Sequence, residues 1–331
     1  MALAELAFST SDLAQVRFAV SPLWEVAPSF RLLRYGTAHP IHQPWADQVR
    51  PRMVAAGLDR GWLCELIPPT PGYVPDFLNP APAGPAPTPA AERDAIRASP
   101  ADRVRQDLDH LARHQGNLGP RLRALHADPQ SLLAKVAEEI EMYWEVALAP
   151  YWARIRAILD ADILHRARLA AEHGTGYLLN DLHTSLNWHG NTLRMDRRKQ
   201  PLARTTAGTG LLLIPSAFSG PGLRTRTTPP DPPQLAYQAR GVGSLWTARP
   251  ATRADTLSAV LGRSRTLLLT ELEIPASTTQ LAHRTGLSTA GVSQYLTALR
   301  DAGLVSAHRV GRSVLYARTT AAETLLQAAS A

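Results

Sequence analysis

The chain has 331 residues, room for two or more domains each with its own core, and its 45% hydrophobic content excludes wholesale disorder. A formal net charge of +7 and a pI near 10.0 suit a polyanionic partner. The one cysteine, Cys64, excludes a disulfide framework and an all-thiolate metal site within one chain; with Leu63 and Leu66 beside it, it reads as a buried core thiol.

The alternating stretch 3–8 predicts a strand. Ser11 and Asp12 look like a helix start, with Leu13, Val16, Arg17 and Val20 following at near-helical spacing. Leu23-Trp24-Glu25-Val26, after Pro22, predicts a short second helix. A further helix is expected over 45–56, kinked around Pro51. The Pro-rich segment 68–90 fits neither a regular helix nor a central strand. Two readings compete, a linker between small domains and a long surface loop inside one domain; the second is preferred because the stretch before it is too short to bury a core alone.

A long helical region follows. Ser99-Pro100 and Asp128-Pro129 each place a capping residue before a proline at the first helical position. Val104, Leu108 and Leu111 share one face, and Leu132, Leu133, Val136, Ile140, Tyr143, Trp144 and Ala147 form a broad apolar stripe that Pro150 breaks. Another helix continues through Ile155, Ile158, Leu159 and Ile163 until Gly174. The aromatics Tyr143, Trp144, Tyr151 and Trp152 suit an inter-helix core or the wall of a small-molecule pocket.

Asp181, His183 and His189 are the acid–base or ligand-contact candidates. The two histidines lie six apart, whereas helical metal pairs are spaced by three or four. They read as structural or surface histidines, and no metal or cofactor is expected. The apolar run 211–218 predicts a buried strand and Leu235–Ala239 an alternating one, both pairing with the N-terminal strand in a small sheet. A domain boundary is expected near Arg249-Pro250, dividing the chain into 1–249 and 250–331.

The last segment carries the most local information. Leu257, Val260 and Leu261 suit a first helix, and 263–273 a second. Ser277 and Gln280 have capping-box spacing, Gly286 ends that helix, and Ser288 caps the next. In that next helix Val292, Leu296 and Leu299 form a stripe facing a core, while Thr289, Ser293, Gln294 and Thr297 face away. This outer face is short, polar and uncharged, suited to close approach to base edges; glutamine can pair bidentately with adenine. Leu304-Val305 and Val314-Leu315-Tyr316 predict a hairpin turning at Val310-Gly311-Arg312, with Arg309 and Arg312 placed to meet phosphates. A last helix is expected over 320–329.

Residues 256–326 resemble the ArsR family of bacterial winged-helix regulators. The matching pieces are L-L-L-T-E-L, T-T-Q-L-A, G-L-S, V-S-Q-Y-L, L-R-D-A-G-L-V and G-R-S-V-L-Y, in that order. The resemblance implies a winged helix-turn-helix, DNA binding and dimerisation. It does not imply thiolate metal sensing: metal-sensing members carry a cysteine pair on the helix before the turn, where this chain has Thr278, Thr279 and Gln280. V-R-F-A-V-S-P-L-W-E and Q-A-R-G-V-G-S-L-W resemble long actinobacterial members with a poorly characterised N-terminal domain.

The expected fold is mainly α with small β-sheets: a helical N-terminal effector and dimerisation domain with a small sheet, then the winged helix-turn-helix. The expected function is a sequence-specific DNA-binding transcriptional regulator, not an enzyme: a homodimer on double-stranded DNA, responding to a small-molecule effector. Ser288, Thr289, Ser293, Gln294 and Tyr295 are the base-reading candidates, Arg309 and Arg312 the backbone contacts. The alternatives are an enzyme with a winged-helix tail and a winged-helix protein-interaction module. No run of about 18 apolar residues is present to span a bilayer. Glu5 interrupts any signal-peptide-like apolar core, so a cytoplasmic protein without membrane contact is expected.

Overall fold

The computed structural model describes residues 4–36, 40–196, 209–246, 254–311 and 313–328. The fold is mainly helical with small sheets. The chain forms two compact units interleaved in sequence: one takes residues 1–39, 61–139 and 158–242, the other 40–60, 140–157 and 243–331. The boundary expected near Arg249-Pro250 lies outside the described residues.

The first unit holds two sheets. Strands β1 (Ala4–Ala7), β3 (Leu186–His189) and β4 (Thr192–Met195) form an antiparallel sheet in the order β1-β4-β3. Strands β2 (Val16–Phe18), β5 (Leu211–Ser216), β6 (Arg224–Arg226) and β7 (Gln234–Gln238) form the second, ordered β2-β5-β7-β6. Here β2, β5 and β7 run parallel, with β6 antiparallel to β7. Every residue of β5 is buried, as a near-continuous apolar run between two parallel neighbours requires. Leu6, Phe8, Leu178, Leu193, Leu213 and Tyr237 belong to one core.

Three expectations are corrected here. The N-terminal strand does not join β5 and β7; it pairs with β4, Leu6 lying opposite Leu193. The strand beside β5 is β2, cut from the stretch whose spacing looked helical. The helix there spans only Thr10–Ala14, closed at its start by a capping box of Ser9 and Asp12. Val16 and Phe18, a β-branched and an aromatic residue, then register against Leu211 and Leu213. Pairing across the chain overrides a local period. The short helix expected at 23–26 is a 3-10 turn, Leu23–Glu25, leading into helix Val26–Tyr35.

The Pro-rich stretch is folded into the first unit. Asp107, on helix Ala101–Gln115, accepts from the Phe77 N–H at 2.7 Å and the Tyr73 hydroxyl at 3.1 Å. Glu92 likewise accepts from the Ser21 hydroxyl at 2.6 Å and the Leu23 N–H at 2.9 Å. Glu25 accepts from the Ser216 hydroxyl at 2.8 Å and the N–H groups of Ala217 at 2.7 Å and Phe218 at 3.1 Å. Burial pushes all three carboxyls up to about 7, despite the donors that favour their charged forms.

The second unit joins helix Gln43–Ala55 and the turns Trp144–Leu148 and Ala149–Tyr151 to the C-terminal helices and hairpin. Pro51 lies inside helix Gln43–Ala55, as expected. Tyr143, Trp144 and Tyr151 are buried. Trp45 is fully buried and donates its indole N–H to the Ala147 carbonyl at 2.9 Å. Trp246 stacks on Trp45 with centroids 6.3 Å apart and meets Tyr151 edge-on at 5.6 Å.

Candidate nucleic-acid interface

Helix Arg263–Glu271 leads to two helices joined by a tight turn, Thr278–Thr285 and Thr289–Asp301. The turn is built from local chemistry. Ser277 donates its N–H to Gln280 Oε1 at 2.9 Å, and its hydroxyl accepts from the Gln280 N–H at 3.3 Å. Gly286 takes φ +71°, a left-handed conformation in which a Cβ would be strained. Leu287 packs inward, and Ser288 Oγ accepts from the Gly291 N–H at 3.1 Å to start the second helix.

Val292, Leu296 and Leu299 are buried with Leu268, Leu281 and Val305. This fixes the rotation of the second helix and leaves Thr289, Ser293, Gln294 and Thr297 exposed. The side chains of Thr289, Ser293 and Gln294 make no hydrogen bond among the described residues, so their polar groups are open to an outside partner. Tyr295 is half-buried against the core, with the Arg265 guanidinium 5.6 Å from its ring centroid. It therefore sits on the flank of the exposed row.

The hairpin follows: β8 (Val305–Val310) and β9 (Ser313–Arg318) pair antiparallel from Val305–Arg318 to Val310–Ser313. Gly311 occupies the turn at φ +60°. Arg309 is exposed on β8; Arg312 lies outside the described residues. An antiparallel bridge between Ala276 and Tyr316 adds a third short edge. The last helix runs Thr320–Ala328. The first helix expected here runs Ala254–Leu261; on it Val260 is 80% exposed, whereas Leu257 is buried.

Two supports escaped sequence reasoning. Arg318 donates from Nε to the Leu269 carbonyl and from Nη2 to the Thr270 carbonyl, both at 2.6 Å, and pairs with buried Glu323 at 3.4 Å. It thereby ties β9 to the C-terminal end of helix Arg263–Glu271. Stretches distant in sequence also support this region: His308 Nδ1 of the hairpin lies 3.6 Å from Glu145, and Arg154 pairs at 3.3 Å with Glu273, just past helix Arg263–Glu271. An arginine at a helix end is a weak sequence signal; the other contacts leave none.

The acid–base candidates of the first unit do not converge. Asp181 pairs with Arg166 at 2.9 Å, and Arg166 also reaches Asp162 at 3.3 Å. His183 donates from Nε2 to the Pro221 carbonyl at 2.5 Å, leaving Nδ1 to accept from Ser185 at 2.8 Å. His189 is exposed on β3. Among the described residues no three His, Cys, Asp or Glu side chains are grouped to hold a metal ion, and no helix is long and apolar enough to cross a membrane.

Residues 267–307 match the family described as "Bacterial regulatory protein, arsR family", and residues 91–243 match a family of unknown function, DUF5937. The chain is similar to the HTH-type transcriptional regulator NmtR of Mycobacterium tuberculosis (strain ATCC 25618 / H37Rv), 42% identical over 64 residues. Those residues are 19% of this chain and 53% of that protein, so the match spans about half the relative's length. No solved structure matches significantly. The chain thus carries, toward its C-terminal end, a segment that matches the ArsR-family helix-turn-helix, behind one that matches a family of unknown function.

Proposed function

We propose that the protein is a DNA-binding transcriptional regulator that works in the cytoplasm as a homodimer. The observation that carries this reading is the exposed, uncharged row Thr289, Ser293 and Gln294 on a helix whose opposite side is locked into the core. A helix that served only to face solvent has no need of such a row. Small hydroxyls and an amide approach base edges closely in the major groove. Ser288 and Tyr295 flank the row, and Arg309 and Arg312 grip phosphates on either side of the hairpin turn. Two such helices in a dimer enter successive major grooves about one helical turn apart.

Residues 250–331 serve DNA binding and residues 1–249 serve dimerisation and effector response. A small-molecule effector acts by binding one arrangement of the dimer better than another. No catalytic role is assigned to Asp181 or His183, whose partners are structural, nor to exposed His189.

The test is a gel shift of the full-length protein on its own upstream region and on a random duplex of equal length. Tighter binding to the upstream region is expected. Equal affinity, or none, turns the assignment toward a protein-interaction role.

A further inference from the structure

A cleft of about 1690 Å³ opens in the first unit, walled by the Pro-rich loop, helix Ala101–Gln115 and β6. Three arginines line it: Arg113, which is exposed, and the more deeply set Arg31 and Arg224. Arg31, on helix Val26–Tyr35, is only 4% exposed. It donates from Nε to the Pro68 carbonyl at 2.7 Å and from Nη2 to the Gly72 carbonyl at 2.6 Å. These neutral acceptors orient the guanidinium and hold the loop, but leave its charge uncompensated. Arg224 reaches only the Ser219 carbonyl, at 3.4 Å, and its buried Nε meets no acceptor.

Neither arginine forms an ion pair among the described residues. Burial, and after it the charge of Arg224, hold Arg31 down at about 10; burial also lowers Arg224. Placing two like charges in one partly dry cleft is costly unless something negative joins them. The acids of the same cleft do not serve. Asp107 is spent on Phe77 and Tyr73, Asp76 accepts from the Thr228 hydroxyl at 2.7 Å, and Asp196 is exposed. Trp24, Pro28 and Leu223 give the cleft an apolar side, the Trp24 N–H being already taken by Gln234 at 2.8 Å.

We propose that this cleft binds a small organic anion, a carboxylate or phosphate monoester on an apolar body, with Arg31 and Arg224 as the anion-holding pair. A planar guanidinium matches either group through paired N–H donors, and the apolar side accepts the rest of the molecule. As the identity of the effector this rests on the regulatory reading above; as a binding site it does not.

Calorimetric titration of the full-length protein with 1-naphthoate, 1-naphthyl phosphate and the neutral 1-naphthamide tests it. One of the two anions is expected to bind about tenfold or more tightly than the amide, and their order tells which group the cleft takes. Arg224→Gln should erase that preference. Arg31→Gln also frees the Pro68 and Gly72 carbonyls, so Arg31→Lys accompanies it, with melting curves to show that both fold. Equal binding of anion and amide, an unchanged preference in Arg224→Gln, or no binding of any probe at millimolar concentration overturns the site. DNA affinity is measured with and without the preferred anion. If the anion binds and DNA affinity is unmoved, the effector reading fails and the site stands; if DNA binds specifically and no anion does, the site fails alone.

Discussion

Arg318 donates from Nε to the carbonyl oxygen of Leu269 at 2.6 Å, closing the end of one helix with the last residue of the hairpin. Replacing Arg318 by Met removes this bond, its companion to Thr270 and the ion pair with buried Glu323. We expect a loss of about 3 kcal/mol in the stability of the second unit, read from urea denaturation. The double variant Arg318→Met with Glu323→Gln should recover part of it.

Gly286 stands at φ +71°, and a Cβ added there meets nothing within 4 Å. The cost of Gly286→Ala is therefore conformational and not steric. It should amount to about 1 kcal/mol, with DNA affinity falling only as far as stability does. A thermal melt beside a DNA titration checks this; a larger loss of DNA binding than of stability gives the turn backbone a direct contact role.

Gln294 and Arg309 should fail differently. Gln294→Ala is expected to loosen sequence preference by about 1–3 kcal/mol at the base it contacts, with little effect on random duplex. Arg309→Ala is expected to weaken all duplexes alike and to reduce the salt slope by about one. Fluorescence anisotropy over a range of salt, on operator and random DNA, separates the two.

Stability should fall as pH rises to neutrality. Glu25, Glu92 and Asp107 are all pushed up to about 7 by burial, above ordinary values of 4.5, 4.5 and 3.8. Each holds its proton more tightly folded than unfolded. Their contribution is thus complete below the ordinary carboxylate range and is lost as pH climbs through about 7. Melting temperature measured from about pH 5 to 8.5 should decline across the lower half of that window, up to about pH 7, and level off above it. Glu92→Gln should remove one group's share of the decline, on the order of 3 kcal/mol.

Where information was local, it was legible. Ser277, Gln280, Gly286 and Ser288 each act on groups within four residues of themselves and occupy the capping and turn positions their chemistry suggests. The apolar run at β5 is equally plain. What escaped was pairing across long separations. Val16 finds Leu211, and Ala4 finds Met195, although nothing near either residue names its partner. Near-helical spacing at Leu13, Val16 and Val20 misled because a three-residue strand is too short to show its own period. Arg31 and Arg224 could not be matched because each looks like an ordinary basic residue until the chain brings both to one cleft. The exposed row on the second helix was readable because burial of Val292, Leu296 and Leu299 leaves it only one direction to face.

The pairing of Trp45 with Trp246 joins segments made at opposite ends of synthesis. On the ribosome, helix Gln43–Ala55 emerges some two hundred residues before the tryptophan that covers it. Until then that face is incompletely covered, and premature termination anywhere before Trp246 leaves a product without its cover. Nonsense or frameshift lesions ahead of the Trp246 codon should therefore yield aggregates or rapid proteolysis in the cell.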